Sequence, residues 1–220
     1  MVSIAIDGPS GAGKSTLADK LSEILGYIHL DTGAIYRTVA LYVIRKGVDV
    51  TDIPAVISLI PEIDVKIEYA EGKQRMILCG EDVTGLIRTS EVSAGASAVS
   101  AIPEIRAFLL DLQRDFAKHN NVIMDGRDIG TVILPDATVK FFMSASDDAR
   151  AKRRYDELLA KGELITLDEV KAAMMTRDKN DSTRKTAPAI PASDAIMLDN
   201  SGELDDTLRT ALDVIRSKTK

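Results

Sequence analysis

The chain has 220 residues, enough to bury a substantial core as one domain with small appended lobes. It is 45% hydrophobic and 28% charged with a net charge of −6, which is ordinary for a soluble globular protein and gives no sign of general nucleic-acid affinity. A single cysteine, Cys79, excludes an internal disulfide and suits a reducing compartment. No apolar run approaches the ~20 residues of a membrane helix, and a strand begins almost at Met1 with no room for a signal peptide, so the reading is a cytoplasmic protein.

Residues 2–7 form a short apolar run suited to a buried strand. Gly8, Pro9, Ser10, Gly11, Ala12, Gly13, Lys14 and Ser15 then fit G-x-x-x-x-G-K-[ST] at every fixed position. A helical pattern through Leu17, Leu21 and Ile24 follows. The glycines let the backbone curl its N–H groups inward, and with the positive end of the next helix these make an anion cradle. Lys14 can reach a β- or γ-phosphate and the Ser15 hydroxyl can ligand Mg²⁺. With Thr16, residues 8–16 are the expected ATP-binding set. A plain glycine turn between strand and helix is the competing reading, and the strand–loop–helix context disfavours it.

Gly26 stops the first helix, and residues 27–30 read as a second strand ending at Asp31. Strands alternating with helices imply a parallel sheet covered on both faces, with ligands at the carboxyl ends of its strands. Asp31 or Thr32 caps the next helix, which carries Tyr36 and Arg37 in its first turns and runs to about Lys46; capping is preferred to metal ligation for Asp31. Over residues 63–87 the period changes. Ile63, Val65, Ile67 and Tyr69 alternate with polar residues, residues 70–73 read as a turn, and residues 74–79 resume as strand. This is an inserted antiparallel hairpin within a small lobe spanning residues 33–100. Cys79 falls in it and reads as structural.

Residues 90–101 are rich in Ala, Ser and Gly and allow close helix packing. Pro103 opens a helix with a stripe of Ile105, Leu109, Leu112 and Phe116; Arg106 beside it would ordinarily be a solvated arginine. Residues 122–125 form a strand ending in Asp125-Gly126-Arg127-Asp128. Three charges there point to a polar ligand, with Asp125 standing where an acid would assist Mg²⁺; a salt-bridged loop is the alternative. Residues 138–143 form another strand. Ser146 caps a basic helix with Arg150, Lys152, Arg153 and Arg154; a solvated face is the ordinary reading, but its place after a strand whose carboxyl end faces the nucleotide suggests a lid over residues 146–165 with a hinge at Lys161-Gly162. Thr166 and Glu169 make a capping box. Leu167, Val170 and Met174 face inward in that helix, and the same register continues to Arg177, Asp181 and Arg184. That stripe predicts passage from core into a polar ligand cavity, against a salt-bridge cluster at a fraying helix end. Residues 195–199 are a fifth strand, and residues 204–215 an amphipathic helix.

A phosphate loop with many arginines and no Ser-His-Asp or Cys-His set points to phosphoryl transfer, which needs positioning and charge neutralisation. His29 and His119 read as structural. No asparagine is followed by lysine, which argues against a guanine-reading switch, and Asp125 is followed by Gly126 rather than glutamate, which argues against an ATPase motor. A kinase for UMP or a small hydroxy acid remains an alternative.

With these residues in view, the chain resembles the bacterial cytidylate kinases nearly end to end. The likeness rests on the phosphate loop, then Asp31-Thr32-Gly33-Ala34-Ile35-Tyr36-Arg37, Gly80-Glu81-Asp82-Val83-Thr84 and Asp125-Gly126-Arg127-Asp128-Ile129-Gly130-Thr131-Val132, with Arg177-Asp178 and Arg184 in the last long helix before the final strand. The resemblance implies an α/β P-loop fold of three layers with a five-stranded parallel sheet, a monophosphate-binding lobe and a short lid in one kinase domain. It implies ATP + CMP ⇌ ADP + CDP, with dCMP accepted, Mg²⁺ as cofactor, and a monomer with no nucleic-acid or membrane partner. By the same resemblance Arg37, Arg127 and Arg184 would hold the CMP phosphate beside Tyr36, and Ser97, Arg106 and Asp128 would read cytosine. Arg177 and Asp181 would contact the sugar. Thr32 stands where the family has serine and keeps the hydroxyl. Lys14, Arg127, Arg177 and Arg184 form the expected catalytic set, with Ser15 as metal ligand and Asp125 acting through water.

Overall fold

The computed structural model describes residues 1–70, 72–160 and 162–219. In chain order it places β1 (Ser3–Asp7), α1 (Lys14–Leu25), β2 (Ile28–Asp31), α2 (Thr32–Arg45), α3 (Ile53–Ser58), β3 (Val65–Ala70), β4 (Lys73–Leu78) and β5 (Glu81–Asp82). There follow α4 (Ser90–Val99), α5 (Pro103–His119), β6 (Val122–Gly126), β7 (Val139–Ser144), α6 (Asp147–Ala160), α7 (Leu167–Thr183), β8 (Ile196–Asp199) and α8 (Leu204–Lys218). Five strands make one parallel sheet in the order β2-β6-β1-β7-β8.

Side-chain alternation along the central strands builds the layers. Ile4, Ile6 and Ile123 point to one face, where Leu17 and Leu21 of α1 and Ala211 and Ile215 of α8 cover them. Ala5, Leu30 and Met124 point to the other, against Ala117 of α5 and a π-helical turn at Ile129–Ile133. Ile4, Ile6 and Phe141 are almost wholly buried, each contributing about 1.5–3 kcal/mol relative to exposure. Ile24 and Leu167, expected in their helices' inward stripes, are half and two-fifths exposed; at the end of α1 it is the neighbouring Leu25 that packs against the core.

The β3-β4-β5 sheet is antiparallel and has its own core with α2, α3, α4 and the start of α5. The expected hairpin therefore gains a third strand. Leu78 pairs with Glu81 across a two-residue turn in which Cys79 (φ 49°) and Gly80 (φ 84°) are both left-handed, the geometry of a type I′ hairpin. Cys79 thus lies in the exposed turn and not in the strand. A two-residue strand carries no period of its own, which is why β5 left no trace in the pattern. Of the turn at residues 70–73, Glu71 lies outside the described residues, as does Lys161 of the expected hinge.

The lobe docks on the exposed edge of the main sheet. The Gln74 side chain accepts from the Asp31 backbone N–H at 2.8 Å and donates to the Asp31 carbonyl at 3.2 Å, while the Tyr69 hydroxyl accepts from the His29 N–H at 3.2 Å. Two lobe side chains thereby satisfy backbone groups that β2 would otherwise leave unpaired.

Candidate active site

A cavity of about 560 Å³ opens at the carboxyl ends of β1, β2 and β6, between the phosphate loop and the small lobe. The loop's shape depends on glycine at two points. A Cβ on Gly8 (φ 143°) would fall 2.0 Å from the Met143 carbonyl oxygen, and one on Gly13 (φ 97°) 2.6 Å from Asn200 Nδ2. Asn200 itself, just past β8, donates to the Ala12 carbonyl at 2.8 Å and holds the loop from behind.

Lys14 is buried and donates to the Pro9 carbonyl at 2.7 Å. Burial and the nearby Arg127 push its amine down to about 7, so the protein around it penalises this charge. The Ser15 hydroxyl donates to Asp125 Oδ2 at 2.6 Å. Asp125 Oδ1 lies 2.9 Å from His29 Nε2, and His29 Nδ1 lies 2.7 Å from Asp19 Oδ1. Burial opposes charge on both members of the His29–Asp125 pair. Their mutual hydrogen bond, with Asp19 and Ser15, overcomes it, raising the imidazole and lowering the carboxyl. The Asp7 carboxylate closes the other side of the sheet end, accepting from the N–H groups of Ile129 at 2.7 Å and Gly130 at 2.8 Å.

Across the cavity stand arginines interleaved with aspartates. Arg37 donates to Asp31 at 2.6 Å, and Asp31 also caps α2 through the Ala34 N–H. Arg127 donates to Asp181 at 3.0 Å, and Arg177 lies 3.9 Å from the same carboxylate. Asp128 is held between Arg106 and Arg184, the latter at 3.3 Å. Ser100 bridges these two arginines: its carbonyl accepts from Arg106 and its hydroxyl from Arg184, both at 3.1 Å. Tyr36 lies beneath the Arg106 guanidinium, 5.5 Å from ring centre to charge. Burial pushes the Asp128 carboxyl up and, with Arg127 close by, brings Arg177 down to about 10.

Among the described residues, nine cationic side chains and five carboxylates line the cavity, an excess of four positive charges. The buried Nε atoms of Arg37 and Arg177 make no hydrogen bond, so donors remain for an anion. The two readings of the stripe are not exclusive: the ion pairs of the competing reading are present, and they line the wall of a cavity.

Of the residues singled out in the sequence, Ser10, Gly11, Gly13, Lys14, Ser15 and Thr16 line the cavity at one end. Thr32, Tyr36, Arg37, Arg106, Asp125, Arg127, Asp128, Arg177, Asp181 and Arg184 complete it. Gly8, Pro9, Ala12 and Ser97 are not in its wall; Gly8 and Ala12 support the loop from behind, and Ser97 donates to Asp181 at 3.4 Å. Arg184 is the C-cap of α7 and not a residue within it, its Nε donating at 2.7 Å to the carbonyl of Ala187, which is held left-handed at φ 49°. Arg106 is buried, against the solvated role ordinary for a helix arginine. In the basic helix, Arg150 is tied to Ser10 and Asp178 and lies outside the cavity wall, while Arg153 and Arg154 line it.

Sequence reasoning passed over Arg88, which lines the cavity 3.8 Å from Asp31, and Asn200. It also set His29 aside as structural, although this histidine touches Asp125. Asn200 did carry a signal, being a polar residue at a strand's carboxyl end like Asp125.

A family model described as cytidylate kinase matches residues 4–216. A cytidylate kinase of Geobacter sulfurreducens is 46% identical over 99% of this chain and 94% of its own. One of Pelotomaculum thermopropionicum is 48% identical over 90% of this chain and 88% of its own. Among solved structures, a gluconokinase from Sinorhizobium meliloti (14% identity, TM-score 0.51) covers 99% of this chain and 94% of that one, which bears on the fold alone. An uncharacterized protein from Eubacterium ventriosum (14% identity, TM-score 0.54), covering 99% of both chains, does the same. With the family model matched over almost the whole chain and relatives at this identity over nearly their full length, the chain belongs to the cytidylate kinase family.

Proposed function

We propose that this protein transfers the γ-phosphoryl group of ATP to CMP or dCMP, giving ADP and CDP or dCDP. The observation that carries the reading is a cavity whose excess of four positive charges faces the phosphate loop. Mg·ATP and a nucleoside monophosphate together bring about four negative charges to neutralise it.

The loop from Gly8 to Thr16 takes the donor phosphates, with Lys14 on the transferring end. Their negative charge restores a fully protonated Lys14, whose amine burial and Arg127 hold near 7. Arg37, Arg127 and Arg184, with Thr32 and Tyr36 beside them, hold the acceptor phosphate, and Arg177 joins Arg127 at the developing charge between the two substrates. Asp128, fixed between Arg106 and Arg184, accepts from the cytosine N4 amine, and Arg106 donates to the ring acceptors. Uracil presents an oxygen to Asp128 with no proton between them, and such a buried mismatch is rejected strongly. Ser97 acts through Asp181, which with Arg177 faces the sugar.

The hard oxygen donors of Ser15 and an ionised Asp125 suit Mg²⁺, which keeps its waters and takes one or two protein groups plus phosphates. Ser15 would hold it directly and Asp125 through water; it would neutralise phosphate charge. No protein base is needed, because the attacking phosphate oxygen is already anionic. The lobe spanning residues 33–100 and the lid spanning residues 146–165 close to exclude water. The protein acts as a monomer.

The test is ADP release from Mg·ATP with CMP, dCMP, UMP, AMP, shikimate or no acceptor. Fast turnover with CMP and dCMP, slow with UMP and negligible otherwise is expected. Equal turnover with UMP would remove the role of Asp128, and release without acceptor would make the protein an ATPase.

A further inference from the structure

The Asp125 carboxylate has two oxygens with different company. Oδ2 accepts from the Ser15 hydroxyl at 2.6 Å, and Oδ1 faces His29 Nε2 at 2.9 Å. A Ser15 hydroxyl that gave an oxygen lone pair to a metal would keep its proton for Asp125, so Oδ2 has to stay turned toward Ser15. The carboxylate is buried, and one hydrogen bond leaves it free to swing, so a second, independent donor on the other oxygen fixes its orientation. His29 is placed for that. It sits on β2 next to β6, in register with Ile123, two positions before Asp125 and on the α1 side of the sheet. Its other nitrogen is anchored 2.7 Å from Asp19 on α1, and its backbone N–H is held by Tyr69. The Asp125 main chain is pinned separately, its carbonyl accepting from the Thr32 hydroxyl at 2.8 Å.

We propose that His29 is a positioning residue of the phosphoryl-transfer site: anchored by Asp19, it clamps one oxygen of Asp125 so that the other stays turned toward Ser15 and its metal. The inference rests on the kinase reading above and adds a part to it. A histidine serving only as packing would fill space equally well with an apolar ring. Here both ring nitrogens are committed to carboxylates, one of them at the phosphate-loop serine.

The two nitrogens can be separated by substitution. His29→Gln places an amide donor near the position of Nε2, and His29→Asn near that of Nδ1. Binding of a non-hydrolysable ATP analogue is measured by calorimetry with and without Mg²⁺, so that the metal-dependent gain in affinity is read apart from nucleotide binding itself. In His29→Asn that gain is expected to fall about tenfold, while His29→Gln retains most of it and metal-free affinity stays within about twofold in both. Equal effects of the two variants, or equal loss with and without metal, would overturn the proposal. Asp19→Asn, at a side chain two-thirds exposed, loosens the anchor without entering the core and is expected to cost about two- to threefold of the same gain. An unchanged gain in Asp19→Asn, with His29 variants that fail to fold, would also overturn it. Absence of any Mg²⁺-dependent binding in the unaltered protein would instead refute the nucleotide-kinase reading itself.

Discussion

At the proposed donor end of the cavity, the wall residues between Ser10 and Thr16 all come from one loop and helix start, whereas the proposed acceptor end gathers Arg37 from α2, Ser100 beyond α4, Arg106 from α5, Arg127 and Asp128 after β6, and Asp181 and Arg184 from the end of α7. The donor end works largely through backbone shape, set by glycines at positions where a Cβ would collide. The acceptor end works through side-chain charge, each arginine held by an aspartate. The difference teaches that a site for anions can be built either as a local loop or as a cluster that exists only after folding; on the proposed function both ends meet phosphate. The two should fail differently when altered.

The largest effect is expected at the donor end. Lys14→Ala should lower kcat by about 10³-fold or more, because the charge met by the transferring group is lost. Its melting temperature should not fall, since burial works against the charge on that amine in the folded state. A near-normal kcat would break the distinction between the two ends.

At the acceptor end, Arg184→Met should reduce kcat/KM for CMP by about 10²–10³-fold while leaving the KM for ATP within about twofold. Asp128 keeps Arg106 and Asp181 keeps Arg127, so the cluster remains paired. Parallel loss in both KM values would mean that the ends are not separable.

Asp128→Ala sharpens the comparison from charge to specificity. The CMP/UMP ratio of kcat/KM should fall about 10²-fold, and stability should drop by roughly 3–5 kcal/mol because the buried Arg106 loses its partner. An unchanged ratio would assign base reading elsewhere.

The smallest effect on turnover, under about tenfold, is expected for Asp7→Asn, behind the site. Burial raises the Asp7 carboxyl from 3.8 to about 6 despite two N–H donors. The folded state therefore holds this proton more tightly than the unfolded chain. The contribution of Asp7 to stability is fully present below about pH 4 and is lost as pH rises through about 6. Asp7→Asn should gain stability relative to the unaltered protein by roughly 2–3 kcal/mol between pH 4 and 7, read by denaturant titration. A flat difference would show that the N–H donors outweigh burial.

Legibility in the sequence follows the same division. Residues 8–16 could be read because strand, loop and helix are adjacent in the chain and only one backbone path connects them. The stripe from Val170 through Met174 to Arg177 and Asp181 was readable because helical period carries a direction across several turns. The same period could not show that the helix stops at Thr183, leaving Arg184 at the cap with its guanidinium folded against Ala187. Nor could it show that Ser97 faces Asp181, or that the unremarked Ser100 joins Arg106 to Arg184.

By itself, the sequence determined the alternation of strands and helices, the inserted antiparallel sheet, the glycine loop between β1 and α1 and the arginines and aspartates that line the cavity. Each is written in local period or contiguous spacing. Only the tertiary structure decided the partners: His29 against Asp125, Asn200 behind the loop, Arg88 near Asp31, and Asp128 between two arginines. Those contacts join residues from 22 to 188 positions apart, and the direction in which a polar side chain satisfies itself is fixed by packing that no local pattern encodes.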